Sequence, residues 1–147
     1  MIEITQKRSG CPISSSLEII GDKWSLLIIR DLFLQRTTFS EFMNSPEKIS
    51  SNILTNRLNK LLSFNLIEFY RDSKDKKVKK YFLTSAGIDL YPLIYDLSIW
   101  SKKHLDIEYN NIALDWYKEN FNKTPSQTIF DDVITYESFK ELALKYI

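Results

Sequence analysis

Between Ile49 and Leu66 the chain reads ISSNILTNRLNKLLSFNL. At helical spacing Ile53, Leu54, Leu58, Leu61 and Leu62 form an apolar face, opposite Ser51, Asn52, Thr55, Asn56, Asn59 and Lys60, with Arg57 at the edge. No Asp or Glu occurs from Lys48 through Ile67. A solvated helix ordinarily mixes Glu with Lys for solubility and i,i+4 pairing, and avoids Asn, a poor helix former. Propensity gives way here at several adjoining positions, which points to a face with something to touch. Short hydroxyls and amides reach base edges, Asn can pair bidentately with adenine, Arg and Lys meet guanine or phosphate, and a carboxylate would repel phosphate. The plain alternative is a polar solvated surface.

A second cluster lies at Arg71 to Lys80, RDSKDKKVKK, with six Lys/Arg against two Asp, net +4. Arg71, Lys74, Lys76 and Lys77 are candidates for contacts to a phosphate backbone, whose affinity depends steeply on salt. Lysines also protect exposed strand edges, which is the competing role. The whole chain carries only +1. Its halves differ: residues 1–105 hold 16 Lys+Arg against 11 Asp+Glu, or +5, and residues 106–147 hold 4 against 8, or −4.

Catalytic chemistry finds little support. One His and one Cys leave no room for most nucleophile and base pairs, no Gly-rich phosphate loop is present, and Asp131-Asp132 falls in a stretch expected to be weakly structured. We expect no enzyme, no cofactor and no metal, with His104, on a helix stripe, packing or capping. Cys11 has no second Cys for an internal disulfide. It is either a small packing residue at a dimer interface or a reactive thiol near a helix start, with Lys7 and Arg8 close in sequence. Trp24, Trp100 and Trp116 could line an effector pocket, although aromatics at helical spacing are core by default.

The elements that must position these groups follow from periodicity. With 147 residues, 44% hydrophobic and 14% aromatic, the chain suits one folded domain with an appendage. No apolar run reaches the roughly 18 residues that span a bilayer, and MIEITQKRSG lacks a secretory apolar core, so a cytoplasmic location is expected. Helical patterns run over Ser14 to Ile20, Lys23 to Leu34 and Thr38 to Ser45, with Ser40 as the third one's N-cap. Ser50 caps the 51–63 helix and Asn65 suits its end. Strands at Leu66 to Arg71 and Val78 to Thr84 form a hairpin with a basic tip, placing Tyr81 and Leu83 on one side and Lys80 and Phe82 on the other. One long helix should then run from Ala86 to His104, bent at Pro92, with the stripe Leu90, Leu93, Ile94, Leu97, Trp100 and His104. Ile112 to Phe121 suggests another helix. Phe139 to Tyr146 suggests the last, separated from it by Lys123 to Asp132 around Pro125.

Three helices, a two-stranded hairpin and a long helix make the layout of a winged helix-turn-helix, a mainly α (α+β) fold whose third helix enters the major groove. The motifs Cys11-Pro12-Ile13, Gly21-Asp22-Lys23-Trp24, Phe39-Ser40-Glu41-Phe42, Ser50-x-x-x-Leu54-Thr55-x-x-Leu58-x-x-Leu61, and Leu83-Thr84-x-x-Gly87 with Leu90-x-Pro92 together resemble the HxlR-type transcriptional regulators, relatives of the MarR superfamily. The resemblance covers Cys11 to His104. It implies a homodimer, double-stranded DNA with inverted half-sites as partner, and regulation of a neighbouring gene. It also implies that a cysteine in the position of Cys11 senses oxidants, aldehydes or quinones in some members. The wing is shorter than is usual there, lacks the common Pro-Pro pair, and is closer to the wider MarR pattern.

The expectation is therefore a cytoplasmic homodimeric repressor or activator. Residues 1–105 form its winged-helix and dimerisation domain, and 106–147 an acidic helical extension packed on it. The extension exceeds the family's usual length and fits three jobs: widening the dimer interface, covering an effector site or docking a protein. The DNA-binding set is Ser51, Asn52, Thr55, Asn56, Arg57, Lys60, Arg71, Lys74, Lys76 and Lys77, with Cys11 the candidate redox sensor and a small-molecule or thiol-reactive effector in view. The rival is a winged helix that binds protein, in which Asn52, Asn56 and Arg57 would be covered.

Overall fold

The computed structural model describes residues 1–5 and 8–147; Lys7, part of the Cys11 reading, lies outside them. Helix α1 (Pro12–Ile20) begins with Pro12, whose missing N–H falls where the first turn leaves donors unpaired anyway. Gly21 is its C-cap, at a position with no room for a side chain: a Cβ there would stand 2.3 Å from the Leu17 carbonyl oxygen. Asp22 then opens α2 (Ser25–Phe33), its Oδ1 accepting from the Trp24 and Ser25 amides at 2.9 Å each. Ile28, Ile29 and Leu32 of α2 lie in the core, as the apolar run predicts.

Asp31, also on α2, is buried and matched in full. Arg30, Arg36 at 2.8 Å and the Ser45 hydroxyl at 2.9 Å all donate to it, and Arg30 continues to Glu47 at 2.6 Å. A buried carboxylate is tolerable only when so partnered. The network ties α2 to the segment after α3 (Phe39–Met43). It also holds the Glu47 carboxyl down at about 2, chiefly through the Arg30 hydrogen bond. Helix α3 is capped by Thr38 and not by Ser40. Thr38 accepts from the Glu41 amide while the Glu41 side chain accepts from the Thr38 amide, a reciprocal box that Ser40, already inside the helix, cannot form.

Helix α4 (Ser51–Ser63) is capped by Ser50 as expected, and Leu54, Leu58 and Leu61 are buried. Ile53 departs from the apolar face, standing at its margin and 36% exposed. Asn65 takes the left-handed conformation (φ 54°) that ends the helix, which Asn tolerates well. Strands β1 (Ile67–Arg71) and β2 (Lys79–Leu83) pair antiparallel, Ile67 opposite Leu83 and Arg71 opposite Lys79. Thr38 adds a single bridge to Lys80, and the Tyr81 amide donates to the Thr37 carbonyl at 2.7 Å.

The expected long helix is two helices. A one-turn α5 (Ser85–Ile88), capped by Thr84, stops at Asp89, and α6 (Tyr91–His104) starts afresh. Pro92 thus sits in the first turn of α6, where it removes no hydrogen bond, instead of bending a helix interior. The 106–147 segment is more regular than its composition suggests. Helix α7 (Asn111–Asn120) is capped by Asn110, and α8 (Pro125–Leu144) by a Thr124/Gln127 capping box with Pro125 in the first turn. Pro125 therefore begins a helix where a spacer was expected, and Asp131-Asp132 is helical.

Helix α8 packs on the wing's outer face. Tyr136 is 1% exposed, lies edge-on to Phe33, and accepts the Leu83 amide at 2.8 Å; Lys140 donates to the Leu83 carbonyl and to Glu68, each at 2.6 Å. Burial pushes the Tyr136 hydroxyl up to about 12. Phe82, placed by alternation on the side of Lys80, is fully buried, with Phe139 of α8 against it. The edge of β2 at Leu83 is thus closed by side chains, so that neither its N–H nor its C=O is left open.

Candidate nucleic-acid interface

The polar face of α4 is uncovered: Ser51, Asn52, Thr55, Asn56 and Asn59 are all exposed, held outward by the three buried leucines behind them. Arg57 and Lys60 are half-buried and engaged. Asp22 receives Arg57 Nε at 2.8 Å and Lys60 Nζ at 3.4 Å. The same carboxylate that starts α2 therefore also clamps the two cations of α4. Burial by itself would raise the Asp22 carboxyl, but hydrogen bonds from Ser25, the Trp24 and Ser25 amides and Arg57 outweigh it and hold it well below the usual carboxylate range. It stays charged at neutral pH. Arg57 Nη1 also donates to Asn56 Oδ1 at 2.6 Å, which fixes the Asn56 side chain and leaves its NH₂ free to donate.

The hairpin tip is built by its two acids. Asp72 accepts from the Lys74 and Asp75 amides and pairs with Lys80 at 2.5 Å, and Asp75 accepts from the Lys77 amide. Arg71 donates through Nη1 to the Lys76 carbonyl at 2.8 Å. The Asp residues are thus spent on the turn. Among the described residues Lys74, Lys76 and Lys77 have no ion-pair partner, and all three are exposed. Ser73 reaches the other end of the chain, donating to the Tyr146 carbonyl at 3.1 Å. Lys79 lies over the Phe69 ring, 4.4 Å from its centre.

Cys11 is exposed at the N-cap of α1, with its amide donating to Ser9 Oγ. Arg8, a suggested neighbour of the thiol, is paired with Glu18 at 2.6 Å.

A family model described as HxlR-like helix-turn-helix matches residues 19–109. The chain belongs to this HxlR-like family. Its fold is accordingly the winged helix-turn-helix, and this HxlR-like protein is a DNA-binding transcription regulator, in a family of regulators and not of enzymes. It is 33% identical over 99 residues to the uncharacterized HTH-type transcriptional regulator YdeP of Bacillus subtilis, covering 66% of this chain and 76% of YdeP. Among solved structures it is similar to PA1607, a proposed transcription factor (31% identity, TM-score 0.62, 71% of this chain and 72% of that one). It is also similar to the redox regulator HypR in its oxidized form (27% identity, TM-score 0.57, 66% and 100%). No helix of the described residues is long and apolar enough to cross a membrane.

Three contributors escaped the sequence reading of this HxlR-like protein. Asp22 lies 35 positions from Arg57, and only its place in Gly-Asp-Lys-Trp marked it. Tyr136 and Lys140 brace the wing from α8, whose Thr-Pro-x-Gln start at Thr124 was a legible helix signal.

Proposed function

We propose that this protein acts in the cytoplasm as a homodimer on an inverted-repeat operator, reading bases with α4 and holding the backbone with the wing. The observation that carries this is the acid-free, uncovered face of α4. Ser51, Asn52, Thr55 and Asn56 meet bases and nearby phosphates, Arg57 and Lys60 join them once released from Asp22, and Arg71, Lys74, Lys76 and Lys77 lie along phosphates. The exposure of Asn52 and Asn56 supports this over a protein-docking winged helix, because α8 covers the base of the wing and leaves α4 open.

Dimerisation is supported by apolar side chains that a lone chain leaves in water: Leu93, Leu97 and Trp100 on α6, and Ile13 and Leu17 on α1. Paired about a two-fold axis, two α4 helices about 34 Å apart enter successive major grooves. The likeness to the redox regulator HypR, with an exposed thiol at Cys11, supports an oxidant response through a bond between subunits or to a small thiol.

The test is selection from a pool of random duplexes at two salt concentrations, with and without a thiol oxidant. An enriched inverted repeat with a steep salt slope is expected, and weak, salt-insensitive retention without enrichment refutes the operator reading. Oxidation should change binding to the selected site, and the Cys11→Ser variant should lose that response. Asn56→Ala should weaken the selected site by about 1–3 kcal/mol while sparing random DNA; equal loss on both means that Asn56 reads no base. Replacing both Lys76 and Lys77 by Ala should lower the slope of log K against log salt by about two per subunit. An unchanged slope removes them from the backbone contacts.

A further inference from the structure

The two C-terminal helices and the C-terminal half of α2 with the first turns of α6 line a half-open cavity of about 310 Å³. Its walls include Phe33, Ile94, Trp116 and Tyr117, and one carboxylate, Asp132 of α8, faces it. We infer that this cavity is a binding site for a small aromatic organic cation. The volume lies at the lower end of the range for small-molecule sites and suits one or two fused rings.

The sign of the ligand follows from the charges around the cavity. Arg30 and Arg36 stand at its rim, but both are taken up by Asp31 and Glu47, and these four groups cancel. Asp132 is left over. Its Oδ2 accepts from Trp116 Nε1 at 2.9 Å and from the Tyr91 hydroxyl, two neutral donors. Its Oδ1 has no hydrogen-bond partner among the described residues, and no Lys, Arg or His nitrogen there comes within ion-pair distance of it. A carboxylate held by neutral donors in an apolar wall gains most from a mobile cation. Burial and the Asp132 hydrogen bond push the Tyr91 hydroxyl far up, so it remains a donor and adds no competing negative charge. Trp116, Tyr91 and Phe33 supply ring faces and edges for cation–π attraction, while one face of Tyr117 already carries Lys102 Nζ, 4.4 Å from the ring centre and outside the cavity lining. Asp131, the adjacent carboxylate, is already paired with Lys123 at 3.1 Å.

The site goes beyond the operator reading and does not depend on it, since ligand binding is read without DNA. Isothermal titration calorimetry on the full chain would compare naphthylmethyltrimethylammonium with neutral naphthylmethanol and anionic naphthylacetate. The cation should bind at least about tenfold more tightly than either analogue, a preference that corresponds to about 1.4 kcal/mol. Asp132→Asn keeps an acceptor for Trp116 and Tyr91 and should abolish that preference, whereas Asp131→Asn, with the same change in net charge, should leave it intact. Equal or tighter binding of the anion, equal losses in the two variants, or no binding heat for any of the three compounds would overturn the assignment. The wild-type comparison alone decides the sign if Asp132→Asn fails to fold.

Discussion

Replacing Tyr136 by Ala is expected to lower stability by about 3–5 kcal/mol, the usual cost of deleting a large ring from a closed core. The ring is 1% exposed and sits against Phe33, with centroids 5.1 Å apart, and beside Phe139. Its hydroxyl is the acceptor for the Leu83 amide, a group on the outer edge of β2. Tyr136→Phe isolates that bond: the ring stays and the amide loses its acceptor, for a loss of roughly 1–3 kcal/mol. Urea unfolding of the three proteins gives both numbers, and a single transition monitored by two probes shows whether α8 unfolds with the winged helix. If Tyr136→Ala costs less than about 1 kcal/mol, α8 is a peripheral appendage and its hold on the wing is unimportant.

The second large effect concerns assembly. Leu97→Glu should leave the fold intact, because Leu97 is 48% exposed in the single chain, yet place a charge in the middle of the proposed two-fold contact. Sedimentation should report a monomer. A monomer engages one half-site at a time and forfeits the effective concentration that couples the second, so affinity for the inverted repeat should fall by about 10²–10⁴ while a single half-site binds as before. A Leu97→Glu protein that remains dimeric with full operator affinity would mean that the subunits meet elsewhere. Trp100→Glu, one turn on and 56% exposed, offers an independent check.

What could be read before the structure was whatever is local. Ser50 as a cap, Leu54, Leu58 and Leu61 as the inward face, Asn65 as a stop and the hairpin after it depend on neighbours within one turn, and each is found. Thr38 was legible too, as the first residue of Thr-x-x-Glu, a signal for the reciprocal box that the Ser40 reading passes over. The split at Asp89 was harder. Thr84-x-x-Gly87 closes its own single turn, and a Cβ at Gly87 would stand 2.2 Å from the Leu66 carbonyl oxygen, so the chain is pinned to the strand before α6 can begin. No periodicity reports a contact 21 positions back. The burial of Phe82 was hidden for the same reason: alternation puts it on the side of Lys80, and only the arrival of α8 covers it there. For the DNA-binding set, residue types identified a face, while the engagement of Arg57 and Lys60 depended on a carboxylate supplied from another element.

That carboxylate changes how the protein behaves away from its target. If α4 meets DNA as proposed, Asp22 acts as a built-in counterion, so on arbitrary duplex Arg57 and Lys60 would exchange one anion for another and release few ions from the DNA. Non-target chromosome, which outnumbers operators enormously, would thereby be a poorer sink for the protein. On that reading, only where the proposed base contacts of α4 draw the helix in close would the exchange run to completion. The clamp would thus shorten each unproductive visit and enlarge the share of molecules free to search, a gain in occupancy obtained without any tighter grip on the proposed operator.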